Sequence, residues 1–155
     1  MSATRINHVS IVADDLDESA RFYEELFGME RIPTAKFESP VLWLRLGEQQ
    51  LHLFTSDEDP PTPRQHLGID VADFDALYAK AKELGILDTQ AFGKPLRTHP
   101  AGWVQLYLRD PAGNLVEVDW PDVNTLSQET RADVGSLGIE QTGDAAAATL
   151  YTHSV

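Results

Sequence analysis

His8-Val9-Ser10-Ile11-Val12-Ala13-Asp14-Asp15-Leu16-Asp17 returns further on as His66-Leu67-Gly68-Ile69-Asp70-Val71-Ala72-Asp73-Phe74-Asp75. From residue 8 to residue 66 the offset is 58, and at that offset His meets His, Ile meets Ile and two aspartates meet two aspartates. Glu25-Leu26 and Glu83-Leu84 keep the same offset, each just ahead of a glycine, Gly28 or Gly85. An internal repeat is read before any local element, because it sets the architecture of everything inside it. One supersecondary unit is used twice.

Each copy opens on an alternating stretch, about 5–13 and 65–72, which suits a half-buried strand. A helix follows in each, near 16–27 and 73–84. Leu16, Ala20, Tyr23 and Phe27 give helical spacing in the first, and Phe74, Leu77, Tyr78, Ala81 and Leu84 in the second. Asp15 and Asp73 suit N-caps, since a short carboxylate satisfies free N–H groups there. Gly28 and Gly85 suit C-terminal stops. A further stretch and a hairpin complete each copy: Val41–Leu46 with Gln50–Thr55, and Gly102–Arg109 with Asn114–Trp120. Asp110-Pro111-Ala112-Gly113-Asn114 has strong turn chemistry. The order is βαβββ twice, an α+β fold of two paired modules, 5–58 and 64–120, in a single domain 1–120. The Pro-rich segment 56–64 connects them. Residues 121–155 form a C-terminal extension outside the repeat, small, polar and Ala-rich (Ala145–Ala148), and read as a loosely docked tail or an oligomer contact.

Composition narrows the chemistry. The 155 residues hold 12 Lys+Arg against 25 Asp+Glu, a formal net charge of −13. That balance argues against nucleic acid and against an anionic membrane surface, both of which attract basic patches. A hydrophobic share of 42% supports a packed core. No apolar run approaches a transmembrane span and the first residues lack a signal-peptide core, so a cytoplasmic protein is expected. With no cysteine, disulfides, thiolate nucleophiles and Cys-bound metals are excluded, and any metal site must use His and carboxylates.

Side chains alternate across a strand, so parity assigns faces. Val9 and Ile11 are expected to face the helix, with His8 and Ser10 opposite. Leu67, Ile69 and Val71 repeat this against His66, Gly68 and Asp70. Leu51 and Leu53 oppose His52 and Phe54; Val116 and Val118 oppose Leu115, Glu117 and Asp119. His8, His52, His66 and Glu117 thus share the non-helical face at paired places, and they converge if the sheets curl into one trough. A lone strand histidine is ordinarily structural. Three of five histidines on symmetry-related positions point instead to a metal site. Two imidazoles and one carboxylate with open positions suit non-haem Fe(II), and Zn(II), Mn(II) or Ni(II) takes the same groups.

Across residues 5–120, the paired βαβββ units with His8, His66 and Glu117 resemble the vicinal oxygen chelate (glyoxalase/bleomycin resistance/dioxygenase) superfamily. Its members include glyoxalase I, methylmalonyl-CoA epimerase, fosfomycin thiol transferases, bleomycin-binding proteins and extradiol catechol dioxygenases. The run His99-Pro-Ala-Gly-Trp-Val-Gln-Leu106-Tyr107-Leu-Arg-Asp110-Pro111-Ala-Gly113-Asn-Leu-Val-Glu117 is similar to the signature of type I extradiol enzymes. Arg97 departs from it, standing where that signature carries a small or aliphatic side chain.

The resemblance implies an Fe(II)-dependent extradiol dioxygenase cleaving a catechol-type ring with O2. His8, His66 and Glu117 would be the metal ligands. His52 would be the acid/base or, as in glyoxalases and epimerases, a fourth ligand. His99 and Tyr107 would hydrogen-bond the substrate. Trp43, Arg45, Phe54 and Trp103 have inward parity and would wall a pocket for a planar ring, or fill a dimer or tail contact. The partners implied are a small aromatic diol and O2, and a homodimer or higher homo-oligomer is compatible with the chain. The alternatives are a glyoxalase- or epimerase-like enzyme with a divalent metal, and a bleomycin-resistance-type binding protein.

Overall fold

A computed structural model describes residues 6–35, 39–55 and 64–136, with 138, 140 and 142 as single positions. The chain divides into two compact units, Met1–Thr62 with Asp110–Asn114, and Pro63–Arg109 with Leu115–Val155. The connector, save Arg64, and Ala145–Ala148 lie outside the described residues.

In the first unit, β1 (His8–Val12), α1 (Leu16–Phe27), β2 (Glu30–Ile32), β3 (Val41–Leu46) and β4 (Gln49–Phe54) follow the expected order. They make a four-stranded mixed sheet, β1-β4-β3-β2, in which β1 runs parallel to β4 and the other pairs are antiparallel. Asp15 caps α1 by accepting from the Glu18 N–H at 2.8 Å. Gly28 ends it at φ 62°, a left-handed conformation that costs a residue without Cβ little. The second unit repeats this with β5 (His66–Asp70), α2 (Phe74–Leu84), β6 (Leu96–Thr98), β7 (Val104–Arg109) and β8 (Leu115–Trp120). Asp73 caps α2 through the Ala76 N–H at 2.9 Å. The fold is α+β, two βαβββ modules each with its own mixed sheet.

The helix-facing positions form the core. Leu44, Leu51 and Leu53 are buried in the first unit, and Leu106, Leu108, Val116 and Val118 in the second. Alternation therefore assigns these faces correctly. Two apolar residues depart from it. Val9 is 37% exposed because β1 is the edge of its sheet, while α1 packs on β2, β3 and β4. Leu84, placed in the α2 stripe by spacing, is 50% exposed in the last turn.

The turn Asp110–Asn114 is built as its sequence predicts, and it packs as part of the first unit. Asp110 Oδ1 accepts from the Asn114 N–H at 2.7 Å, and its Oδ2 accepts from the buried Tyr23 hydroxyl at 2.9 Å. Asn114 Nδ2 donates to the Val12 carbonyl at 2.7 Å.

The start of the extension is docked rather than loose. After a single 3-10 turn, Val123–Thr125, come the short helix α3 (Gln128–Asp133) and β9 (Gly135–Ser136), which adds to β6 as a fifth, parallel strand. Ser127 Oγ donates to Asp75 at 2.9 Å, and Tyr78 and Lys82 both donate to Asp133 Oδ2, at 3.0 and 2.9 Å. Leu126 is buried beside these polar anchors. Among the described residues no helix is long and apolar enough to cross a membrane.

Candidate functional site

Strand register puts the polar positions of the two modules into correspondence. Ser10 pairs with His52 across β1–β4, and Gly68 with Glu117 across β5–β8. Trp43 pairs with His52 across β3–β4, and Tyr107 with Glu117 across β7–β8. His52 and Glu117 therefore occupy the same place in the repeated sheet, as do His8 and His66.

In the first unit, three rings form one stack. His8 lies parallel to His52 with centroids 4.3 Å apart, and Trp43 covers the other side of His52 at 4.5 Å. They line a cavity of about 730 Å³ together with Phe54, Val41 and Gln50. His8 Nδ1 donates to Asn7 Oδ1 at 2.6 Å, so its Nε2 keeps a lone pair. His52 is tied the other way: its Nε2 donates to Gln50 Oε1 at 2.8 Å, leaving Nδ1 as the acceptor. Burial, then the charge of His8, lowers the His52 pKa, so the ring is neutral at pH 7.

In the second unit, His66 Nδ1 donates to the Arg64 carbonyl at 2.8 Å. Its Nε2 points at Glu117 Oε2, 3.2 Å away. Glu117 is only 5% exposed; Oε1 accepts from Gln105 Nε2 at 2.7 Å, whereas Oε2 receives no hydrogen bond. The half-exposed His66 Nε2 and the buried Glu117 Oε2 thus face each other, an arrangement that suits a cation held by both. Tyr107 is buried, and its hydroxyl accepts from an Arg97 terminal nitrogen at 2.9 Å. Burial, followed by hydrogen bonding to Glu117 and its charge, raises the phenol pKa well above its ordinary value. Asp119, two residues beyond Glu117, is pushed up to about 8 by burial, then by Glu117 and Asp70.

Of the residues expected to contact substrate, Trp43 and Phe54 line the cavity. Arg45 does not: it is exposed and ion-paired to Glu30, its cross-strand neighbour. It keeps the parity of Trp43 but pairs its charge with Glu30 on the neighbouring strand rather than lining the cavity. His99 stacks on Trp103, rings 4.3 Å apart, and its Nδ1 accepts from the Ala101 N–H at 3.2 Å. The Tyr107 hydroxyl accepts from Arg97. Among the described residues, no three His, Asp or Glu side chains are gathered to hold a metal ion; each unit presents a pair. Sequence reasoning passed over Gln105, Asp119 and Gln50 as site residues. Parity alone could have flagged Gln105 and Asp119, since both share a face with Glu117.

The chain is similar to several known proteins. A virulence protein of Salmonella typhimurium, STM3117, is 27% identical over 125 residues, spanning 76% of this chain and 85% of that protein. The crystal structure of lactoylglutathione lyase from Agrobacterium tumefaciens is 28% identical, with a TM-score of 0.57 over 77% of this chain and 95% of that one. A fosfomycin resistance protein from Listeria monocytogenes shares the fold at a TM-score of 0.63 and 18% identity, covering 84% of this chain and 99% of that one. The family model for the glyoxalase/bleomycin resistance protein/dioxygenase superfamily matches residues 5–118. With the first module and nearly all of the second inside that match, the chain belongs to the glyoxalase/bleomycin resistance protein/dioxygenase superfamily.

Proposed function

We propose that the protein is a divalent metal-dependent extradiol dioxygenase, opening a catechol-type ring beside its hydroxyls with O2. The supporting observation is which atoms the neighbours leave open. Nε2 of His8, Nε2 of His66 and Oε2 of Glu117 each keep a lone pair, because the partner of each group engages its other atom. His52 differs, since Gln50 engages its Nε2. That pattern suits two imidazoles and one carboxylate as ligands, with His52 outside the set. Fe(II) is the proposed metal, and the same donors accept Mn(II), Zn(II) or Ni(II).

Held by His8, His66 and Glu117, a divalent metal would supply Lewis-acid activation of the diol and a site for O2. Neutral His52 takes the proton of a diol hydroxyl at Nδ1 and later returns it. Trp43, Phe54 and Val41 give apolar walls to a planar ring and exclude water. His99 and Tyr107 act here as supports, His99 on Trp103 and Tyr107 on Glu117, rather than as direct substrate donors.

A second reading, a glyoxalase-like isomerase or lyase, draws on the shared register of His52 and Glu117 and on the Agrobacterium relative. It makes His52 a fourth ligand. One experiment separates the two: load the protein with Fe(II) under nitrogen, add a catechol, admit O2 and record the spectrum. A yellow ring-opened product is expected. His52→Ala is expected to keep its iron and lose about 10²–10⁴-fold in turnover. Loss of iron from that variant, with turnover of a glutathione hemithioacetal by the native chain under nitrogen, favours the isomerase and overturns the dioxygenase.

A further inference from the structure

Arg97 departs from the ring-cleavage signature, and its guanidinium is engaged by neighbouring aromatic rings and polar groups. It sits on β6 opposite Gln105 of β7. Its guanidinium lies over the Phe92 ring at 4.8 Å and the Tyr107 ring at 5.1 Å, which holds it in place. From there Nε donates to Gln105 Oε1 at 3.2 Å, and a terminal nitrogen donates to the Tyr107 hydroxyl at 2.9 Å.

We infer that Arg97 is a positioning residue which, through Gln105, commits Glu117 to present Oε2 to the metal. A guanidinium has only donors. Gln105 must therefore turn its carbonyl towards Arg97, and its amide N–H is sent to Glu117 Oε1 at 2.7 Å. Reversing the amide would set N–H against N–H on one side and a carbonyl against a carboxylate on the other. With Oε1 held, the carboxylate keeps one oxygen free of hydrogen bonds, 3.2 Å from His66 Nε2. Tyr107, tied to the same guanidinium, buttresses Glu117 from its cross-strand position. The inference rests on the reading that Glu117 is a metal ligand. It adds that the orientation of that ligand is set two side chains away, by a residue that touches neither metal nor substrate.

Co(II) titration of the full chain by calorimetry, with the visible absorption of the bound ion, tests this. Glu117→Ala is expected to abolish binding. Arg97→Met and Gln105→Met are each expected to weaken Co(II) binding roughly tenfold or more, the scale of a lost outer partner, and to shift the Co(II) bands. Arg97→Lys, still a pure donor, should recover most of the affinity. The double variant Arg97→Met/Gln105→Met should bind no more weakly than Gln105→Met alone, because one residue acts through the other. Additive losses overturn the inference, as do native affinity and bands in Arg97→Met when Glu117→Ala no longer binds. If Arg97→Met does not fold, native affinity in a folded Gln105→Met overturns it equally. Native affinity in Glu117→Ala instead overturns the reading beneath it.

Discussion

Set against each other, the two modules agree on one face of their sheets and disagree on the other. On the helix-facing side, register matches Leu44 with Leu108, Leu51 with Val116 and Leu53 with Val118, all buried aliphatics. On the opposite side, His52 faces Glu117 in the correspondence, Trp43 faces Tyr107, Val41 faces Gln105 and Phe54 faces Asp119. The first module is an aromatic-walled cavity, the second a cluster of hydrogen-bonded polar groups. A buried helix–sheet interface accepts only apolar groups of suitable volume, so both copies carry nearly the same residues there. The other face is free of that demand, and each copy can take on its own chemistry.

The strongest test of this comparison lies in the shared face. Leu44→Ala and Leu108→Ala each delete a fully buried side chain and are expected to cost about 2–5 kcal/mol. Urea denaturation of both variants should give losses in the same range; a near-neutral effect at one site would break the equivalence of the cores.

The helices sharpen it further. At the repeat offset, Ala20 of α1 matches Tyr78 of α2, and Tyr23 matches Ala81, so each helix carries one buried tyrosine a turn apart from the other's. Tyr23 donates to Asp110, a largely buried carboxylate, and Tyr78 donates to the more exposed Asp133. Tyr23→Phe strips a donor from a buried acid and is expected to cost about 1–3 kcal/mol. Tyr78→Phe should cost about 0.5–1.5 kcal/mol, the net value of an ordinary hydrogen bond. Thermal melts of the pair check the order, and equal losses would contradict it.

The smallest effect concerns the docked extension, which only the second module carries. Burial raises the Asp75 pKa, but hydrogen bonds from Thr130 and Ser127 outweigh it, and the net shift is downward. Hydrogen bonds from Lys82 and Tyr78 lower Asp133 as well. A carboxylate with a depressed folded pKa stabilises above its unfolded pKa, and that contribution is lost as pH falls through the folded value. Melting temperature should therefore decline on acidification below the ordinary carboxylate range, more steeply in the native chain than in Asp75→Asn. Superimposable profiles would remove Asp75 as a pH-dependent anchor of α3.

Much of this molecule is legible in its residues because the rules behind it are local. Strand alternation, helical spacing, an aspartate before each helix, a glycine after it and an Asp-Pro-Ala-Gly-Asn turn are decided within a few positions. They yield the element order, the duplicated core and the face that carries His8, His52, His66 and Glu117. What tertiary structure decided is which hydrogen-bond or ion-pair partner each polar side chain finds. Arg45 goes to Glu30, Arg97 to Gln105 and Tyr107, Gln50 to His52, and Asp75 to Ser127. Several of these partners stand on other strands or on a segment outside the repeat, brought close only by register and packing. Periodicity says which face a residue occupies; only the assembled sheet says which atom of that residue remains open.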